Sequence, residues 1–200
     1  MGRIIYLMGK SSTGKDTIFK RIVSEGKIEV IKIIPYTTRP IRFDEKQGVE
    51  YFFTDDRGFE ELLTQHKIIE SREYHTYHGL WRYFTVDDGQ IDLEKTNYII
   101  IGTLEAYVQT VAYFGKQNMV PILIELDDGI RLQRALDREK KQNQPKYQEL
   151  CRRFLADEED FSEEKILQAG ITHRFYNNDL DCCMEDIYSY VTDKRQDAFF

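Results

Sequence analysis

The chain has 200 residues, of which 41% are hydrophobic, and this suits one domain with a substantial core. Its 28 basic and 35 acidic residues give a formal net charge of −7, which argues against a broad basic surface for nucleic acid. No apolar run approaches the length of a membrane span, and the three cysteines form no disulfide framework, so we expect a cytoplasmic protein without a signal peptide. Either a monomer or a homodimer is compatible with the sequence.

Apolar runs and helical periodicity alternate along most of the chain. The predicted strands cover residues 3–8, 30–34, 51–53, 98–101, 120–126 and 173–176. The predicted helices cover residues 15–25, 58–66, 104–115, 129–142, 146–161 and 180–194. Strands that alternate with helices form right-handed βαβ units, so we predict an α/β protein with a parallel five-stranded core sheet. In such sheets ligands bind beyond the carboxyl ends of the strands.

Residues 35–92 differ in character from the rest of the chain. They contain few long apolar runs, many tyrosines and many charged residues. We predict that they form a small inserted lobe of mixed α/β structure, which can move over the sheet. The core domain would then comprise residues 1–34 and 93–200.

A glycine-bounded loop joins the first predicted strand to the first predicted helix, which is the context of a phosphate-binding P-loop. The glycines let several backbone N–H groups point at phosphate oxygens, and the helix start adds its positive end. Lys15 supplies a full charge for the outer phosphates of ATP. The predicted ATP-binding residues are Gly9, Lys10, Ser11, Ser12, Thr13, Gly14, Lys15, Asp16 and Thr17.

Asp16 breaks the strict P-loop pattern, in which serine or threonine follows the lysine. Its carboxylate would hold Mg²⁺ together with the nucleotide, since hard cations favour oxygen ligands. Alternatively, Asp16 only stabilises the start of the helix, where negative charge is favoured. The sequence leaves both interpretations open.

A second anion site is predicted at residues 37–42. Arg39 and Arg42 lie three residues apart beside hydroxyl groups, including that of Thr38, and guanidinium groups can grip a phosphate bidentately. Glu45 and Tyr51 follow at short range in the sequence. A carboxylate can orient the arginines, and a tyrosine hydroxyl can join the phosphate contacts.

Taken together and in this order, these motifs resemble those of guanylate kinases. The likeness covers nearly the whole chain and rests on residues 8–17, 37–42, 45, 48–53, 69–70 and 176–180. The resemblance implies a P-loop core that binds ATP with Mg²⁺, an inserted lobe that binds GMP, and a helical lid formed by residues 129–160. The implied reaction is transfer of the γ-phosphoryl group of ATP to GMP or dGMP.

The resemblance also implies roles for individual residues of the acceptor site. Arg39, Arg42 and Tyr51 would hold the acceptor phosphate, and Glu45 would order them. Glu70 would accept hydrogen bonds from the guanine N1–H and amino group. Further acceptor contacts are implied at Thr38, His78, Gly79 and Thr103. The implied catalytic residues are Lys15, Arg39, Arg134, Arg138 and Arg153.

The three arginines of the implied lid would neutralise charge in the transition state. Arg134 and Arg138 are four residues apart, hence on one helical face, and Arg153 follows one helix later. By themselves they fit a solvated helix face that pairs with neighbouring acids. Beside a P-loop and the Arg39 cluster, the lid interpretation is favoured. Asn177 would border the adenine, although alone it is only part of a turn signal.

The chain departs from the family pattern around the acceptor. Pro35 stands where serine is usual, and His78 and Leu80 replace the tyrosine and the hydroxyl residue that flank Gly79. Residues 101–103 lack the usual pair of aspartates. We expect these changes to relax or shift the choice of acceptor. The phosphate contacts should be spared, because phosphoryl transfer depends on positioning and charge neutralisation.

Two other functions remain open on the sequence alone. Ribose bisphosphate phosphokinases also resemble the first twenty residues, so the acceptor could be ribose 1,5-bisphosphate or another nucleoside monophosphate. A guanylate-kinase-like module without catalytic activity, which binds phosphorylated protein segments, is the alternative outside catalysis. The intact P-loop argues against that module.

Overall fold

The computed structural model describes residues 1–76 and 79–196. Its strands are β1 (Ile4–Met8), β2 (Val30–Lys32), β3 (Tyr36–Thr37), β4 (Phe52–Phe53), β5 (Ile68–Thr76), β6 (Gly79–Val86), β7 (Asn97–Ile101), β8 (Met119–Glu125) and β9 (Arg174–Tyr176). Its α-helices are α1 (Lys15–Glu25), α2 (Asp56–Thr64), α3 (Leu104–Phe114), α4 (Asp128–Lys140), α5 (Tyr147–Asp160), α6 (Glu163–Gln168) and α7 (Leu180–Gln196). A short 3₁₀ helix covers Lys116–Asn118.

Five strands form the core sheet in the order β2-β7-β1-β8-β9, and each neighbouring pair is parallel. The prediction of an α/β fold with a parallel five-stranded sheet is confirmed. The central strand β1 is buried along its whole length, which explains its continuous apolar sequence. Ile5 of β1 lies in register with Ile99 of β7 and Val120 of β8. The carboxyl ends of these three strands therefore meet at one edge of the sheet.

Helices cover both faces of the core sheet. On one face, α1 and α7 pack against the strands through residues such as Ile18 and Ile187. On the other face, α3 and α6 contribute Leu104 and Ile166, and Tyr6 of β1 points into this second cluster. The two clusters leave the carboxyl edge of the sheet to the connecting loops.

A second, smaller sheet has all its strands within residues 35–92. The strand order is β4-β3-β6-β5, in which β3 and β4 are parallel and the other pairs antiparallel. Phe59 of α2 packs with Phe84 and Val86 of β6 in a small core of its own. The sequence pattern does not predict β3, β5, β6 or the short helix α6. In the lobe, charged and aromatic side chains on one face of the sheet interrupt the apolar alternation on which strand prediction depends.

Helices α4 and α5 follow β8 and precede β9 along the chain, and the two helices pack against each other. Arg131 is the buried residue of α4, and no residue of α5 is fully buried. This helix pair therefore contributes little to the apolar core. Within the described residues, no helix has both the length and the apolar character needed to cross a lipid bilayer.

Candidate active site

The loop between β1 and α1 has the backbone shape that a phosphate cradle requires. Gly9 and Gly14 have φ values of 152° and 94°, in the region that favours glycine. A Cβ atom on Gly9 would lie 2.4 Å from the carbonyl oxygen of Ile124, and one on Gly14 would lie 2.3 Å from Nδ2 of Asn177. Both glycines are thus fixed by close neighbours as well as by backbone conformation.

The buried side chain of Asn177 holds this loop from the carboxyl edge of the sheet. Its Nδ2 donates to the carbonyl oxygen of Thr13 over 2.7 Å, and its backbone N–H donates to that of Glu125 over 2.9 Å. The Thr13 hydroxyl donates to the carbonyl of Lys10 over 3.0 Å. The predicted adenine contact of Asn177 stays a prediction. In addition, the structure shows that Asn177 holds the P-loop through Thr13, which the sequence did not indicate.

Lys15 begins α1 and lies largely inside the site. Burial lowers the pKa of its ammonium group, while the nearby carboxylates of Asp16 and Asp157 act in the opposite direction. Its Nζ donates to the carbonyl oxygen of Lys10 at the long distance of 3.5 Å. A cation that is poorly solvated and weakly bonded favours a bound anion.

Arg131 of α4 is the main functional candidate that the sequence analysis missed. Only 1% of its surface is exposed. Its Nε donates to the carbonyl of Ser11 over 3.1 Å, and its terminal nitrogens donate to Asp157 over 3.2 Å and Glu158 over 3.1 Å. Arg131 also pairs with Asp128 of its own helix. One guanidinium group therefore joins the P-loop to both helices of the lid.

The acidic residues of α5 contact the P-loop directly. The Asp157 carboxylate accepts a hydrogen bond from the backbone N–H of Ser11 over 2.7 Å. Glu158 accepts one from Lys10 Nζ over 2.5 Å. Burial opposes the ionisation of Glu158, but Lys10 and Arg131 outweigh it and hold the pKa of this carboxyl below its usual range. Charged side chains thus hold the pair of helices α4 and α5 against the P-loop.

The predicted lid arginines lie on the outer side of this contact. Arg138 is exposed, and its Nη2 is 3.5 Å from the hydroxyl of Ser12, to which it donates. Arg153 donates to Glu149 over 2.9 Å. Arg134 lines a cleft of about 430 Å³ beside Gly14. All three arginines lie near the P-loop, and their guanidinium groups form few contacts with buried partners.

One cleft of about 550 Å³ joins the P-loop, the lobe and the lid. Its lining includes Ser12, Lys15, Asp16, Arg42, Arg138 and Arg153. Lys15 belongs to the core and Arg42 to the lobe, so the two predicted anion sites share this cleft. Arg39 and Glu70 lie in the lobe and do not line it.

Arg39 anchors the predicted acceptor-phosphate site. Its terminal nitrogens donate to both oxygens of Glu45 over 2.7 and 2.5 Å, and its Nε donates to the hydroxyl of Tyr83 over 3.1 Å. These hydrogen bonds hold the pKa of Glu45 below its usual range. The Arg39 guanidinium lies 5.2 Å from the ring centre of Tyr51. Glu45 also accepts from the backbone N–H of Arg42 over 2.9 Å, so one carboxylate fixes the side chain of Arg39 and the backbone of Arg42.

The remaining predicted acceptor residues are dispersed along the lobe and its border. Glu70 is buried, with 2% of its surface exposed. The Thr38 hydroxyl accepts from the backbone N–H of Arg82 over 2.9 Å, and Thr103 caps α3 by accepting from the backbone N–H of Ala106 over 3.3 Å. Gly79 begins β6 with a positive φ of 110°. The predicted contact at residue 78 lies outside the described residues.

The fold is that of an α/β protein whose parallel five-stranded sheet carries a loop of P-loop shape after β1, with a second, mixed sheet within residues 35–92. The guanylate kinase family model matches residues 1–194, and the chain belongs to this family.

Individual relatives agree with this assignment. A guanylate kinase from Mycoplasma mobile is 32% identical over 126 residues, which are 62% of this chain and 61% of that protein. One from Mycoplasma genitalium is 38% identical over 77 residues, 38% of this chain and 32% of that protein. The chain thus spans less than two thirds of the length of these relatives. The crystal structure of guanylate kinase from Anaplasma phagocytophilum superposes with a TM-score of 0.64 at 18% identity, covering 96% of this chain and 86% of that one, which demonstrates a shared fold.

Proposed function

We propose that this protein transfers the γ-phosphoryl group of ATP to a nucleoside monophosphate, GMP or dGMP. The observation that carries the proposal is the single cleft that contains Lys15 of the P-loop and Arg42 of the lobe. Membership of the guanylate kinase family supports the same reaction. In-line transfer needs a donor phosphate and an acceptor phosphate within one enclosed space.

The donor would bind to the P-loop. Backbone N–H groups of residues 9–17 and the positive end of α1 would hold the β and γ phosphates, with Lys15 as the neutralising charge. Burial of Lys15 strengthens its attraction for an anion, since less water competes. Asn177 supports this role by fixing the carbonyl of Thr13.

The acceptor phosphate would bind at the arginines of the lobe. Arg42 is exposed to the cleft, and Arg39 lies behind it, ordered by Glu45. A tyrosine hydroxyl at Tyr51 would complete the contacts. Because the acceptor phosphate is already anionic near neutral pH, no general base is required.

Charge that develops during the transfer would be neutralised by arginines of the lid. Arg138 and Arg153 line the same cleft as Lys15, and Arg134 lies in the neighbouring one. Closure of α4 and α5 over the P-loop would exclude water and limit hydrolysis of ATP. Arg131 would keep the two helices and the loop in a fixed relation during this step.

Mg²⁺ is expected with ATP, and the chain offers it few ligands of its own. In residues 1–76 and 79–196, no group of three or more His, Cys, Asp or Glu side chains could hold a metal ion. Asp16 and Thr17 are exposed oxygen donors at the start of α1, which fits an ion held mainly by the nucleotide phosphates. When bound, the ion would neutralise charge on the transferring phosphoryl group.

Substitution of Asp16 tests its part in holding the ion. If the carboxylate is a ligand, Asp16→Ala should need about tenfold more Mg²⁺ for half-maximal turnover, because an oxygen ligand is lost. An unchanged Mg²⁺ dependence would leave Asp16 as a helix-start residue only. Thermal unfolding of both proteins controls for that structural role.

An acceptor panel tests the proposed reaction. ADP release would be measured with GMP, dGMP, AMP, UMP and ribose 1,5-bisphosphate. We expect turnover with GMP or dGMP and little with the others. Activity confined to ribose 1,5-bisphosphate would replace the proposed acceptor, and failure to bind ATP in calorimetry would favour a module without catalysis.

A further inference from the structure

One face of the lobe sheet carries a buried carboxylate beside a buried guanidinium. Glu70 and Arg72 lie two residues apart on β5, so their side chains share a face, and Thr85 lies opposite Glu70 on β6. The exposed fraction is 1% for the Glu70 side chain and 12% for that of Arg72. Arg72 Nε donates to Glu70 over 3.2 Å, and the Thr85 hydroxyl donates over 2.7 Å. Glu70 is thereby fixed in place while each of its oxygens keeps a free lone pair.

The Arg72 guanidinium group has more N–H donors than its contact with Glu70 uses. A guanidinium group carries five N–H donors. Among residues 1–76 and 79–196, the structure gives an acceptor only to Nε, which is used by Glu70. The two terminal nitrogens of Arg72 are not among the fully buried atoms without a partner, so they reach the surface of the site. They are therefore available to an acceptor on a bound ligand.

Tyr6 carries a buried hydroxyl near this pair. By hydrogen-bond geometry it has no partner in the part of the chain that the structure describes, although the Thr110 hydroxyl, which donates to the carbonyl of Ala106, lies close to it. A Cβ at Gly102 would lie only 1.9 Å from the Tyr6 hydroxyl oxygen, so the glycine makes room for it. Burial raises the pKa of Tyr6, and the charges of Glu70 and Arg72 both act on its hydroxyl. Tyr6, Glu70 and Arg72 thus lie close enough for their charges to interact.

Two positions at which the family pattern has a hydroxyl carry none here, since Pro35 also lacks an N–H group and Leu80 is apolar. The Thr103 hydroxyl accepts from the backbone N–H of Ala106 at the start of α3 and keeps only its own O–H. Among the described residues of this sheet face, Glu70 is a charged acceptor and Arg72 a charged donor. Guanine presents the complementary edge, in which the 2-amino group and N1–H stand next to the O6 carbonyl. Adenine presents its amino group where this edge has the carbonyl.

We propose that Arg72 is a specificity-determining residue, which donates to the O6 carbonyl of a guanine nucleotide acceptor while Glu70 accepts from its N1–H and 2-amino group. This inference rests on the proposed function, because it concerns the base of the same acceptor. It replaces the usual hydroxyl donors, which this chain lacks, with a guanidinium group. It also gives the ion pair with Glu70 a purpose, since the carboxylate holds the guanidinium in position for the base.

The test compares three acceptors that differ by one group each. GMP is the reference, IMP lacks the 2-amino group, and 6-thio-GMP keeps N1–H and the amino group but has sulfur, a weak acceptor, in place of O6. Kinetic constants would be measured by ADP release for the wild type and for Arg72→Met. The matched control is Arg82→Met, which removes a neighbouring lobe arginine that pairs with Asp56 and Glu73 instead.

We expect the wild type to prefer GMP to 6-thio-GMP by about tenfold or more. Arg72→Met should lower kcat/KM for GMP by about 10- to 100-fold, mainly through KM, and bring the ratio of GMP to 6-thio-GMP close to one. The ratio of GMP to IMP, which reports on Glu70, should persist. Arg82→Met should keep both ratios, and thermal unfolding would establish that both variants are folded.

Three results would overturn the inference. An equal loss with all three acceptors would make Arg72 a structural residue. An improved use of GMP by Arg72→Met would mean that Arg72 masks Glu70 rather than contacting the base. Absence of GMP turnover in the wild type would refute the proposed function and the inference together, whereas the first two results leave the proposed function intact.

Discussion

At the residue scale, the P-loop depends on one distant side chain. Asn177→Ala removes the donor to the carbonyl oxygen of Thr13, which then stays buried without a partner. The expected loss of stability is about 1–3 kcal/mol. Because the loop that cradles phosphate is loosened, ATP affinity should fall about tenfold, while GMP affinity, which depends on the lobe, should change less than about twofold. Urea unfolding and calorimetry measure the two effects.

The neighbouring residue provides the control for this prediction. Asn178 is exposed and shares the turn, so Asn178→Ala should leave both stability and ATP affinity near those of the wild type. If Asn177→Ala lowered stability without weakening ATP binding, the hydrogen bond would support the fold but not the phosphate cradle.

Residue-level prediction from the sequence succeeded where partners are close along the chain. Arg39 and Glu45 are six residues apart, and their pairing was foreseen. Arg131 was missed because its partners on α5 lie 26 and 27 residues away, across a turn whose geometry the sequence does not reveal. Arg72 is only two residues from Glu70. Positions two apart share a face only on a strand, however, and β5 was not predicted.

At the level of single elements, helix α5 places a carboxylate on the P-loop, where a phosphate is expected to bind. The Asp157 carboxylate occupies the N–H group of Ser11 and adds negative charge near Lys15. Asp157→Asn keeps the shape but removes the charge. We therefore expect ATP to bind about three- to tenfold more tightly, as removal of roughly 1 kcal/mol of charge repulsion at a partly exposed site implies. Calorimetry with ATP measures this change directly.

A second acid of α5 separates the local contact from a general charge effect. Glu159 is exposed on the same helix, so Glu159→Gln makes the same change in net charge without touching the loop. Its ATP affinity should stay within about twofold of the wild type. Weaker ATP binding by Asp157→Asn would show that the contact belongs to the binding-competent state of the lid.

Elements of the core were predictable because burial dominates their sequences. The continuous apolar run of β1 reflects burial on both faces, and the stripe of Met184, Ile187 and Val191 on α7 reflects one buried face. The lobe strands β5 and β6 combine a small apolar core with a polar face that serves the site. Their sequences therefore follow the chemistry of binding as much as the packing of the sheet.

At the scale of the whole molecule, the pair of Arg39 and Glu45 makes stability depend on pH. Hydrogen bonds from Arg39 hold the pKa of Glu45 below its ordinary value of 4.5. The folded state thus binds fewer protons than the unfolded chain in this range, so the stabilisation is present above about pH 4.5 and lost as the pH falls through the lowered pKa. Glu45→Gln should cost about 2–3 kcal/mol near neutral pH, and the gap to the wild type should shrink as the pH falls below about 4.5.

Urea unfolding across this pH range measures the gap. The control is Glu61→Gln, which removes an exposed partner of Arg57 and should differ from the wild type by less than about 0.5 kcal/mol at each pH. A gap between the wild type and Glu45→Gln that does not change with pH would contradict the assignment of the lowered pKa to the folded state.

The two anion sites should also act as one unit across the molecule. Lys15 of the core and Arg42 of the lobe line the same cleft, so adenosine and guanosine joined by a chain of five phosphates would occupy both sites at once. Linkage makes the second binding event intramolecular, and the affinity should exceed that of ATP by a factor of about 10²–10⁴ in calorimetry. Arg42→Ala should lose most of this gain and still bind ATP as the wild type does. If the linked ligand bound no more tightly than ATP, the sites would not face each other within reach of one phosphorus atom, and direct transfer between them would be impossible.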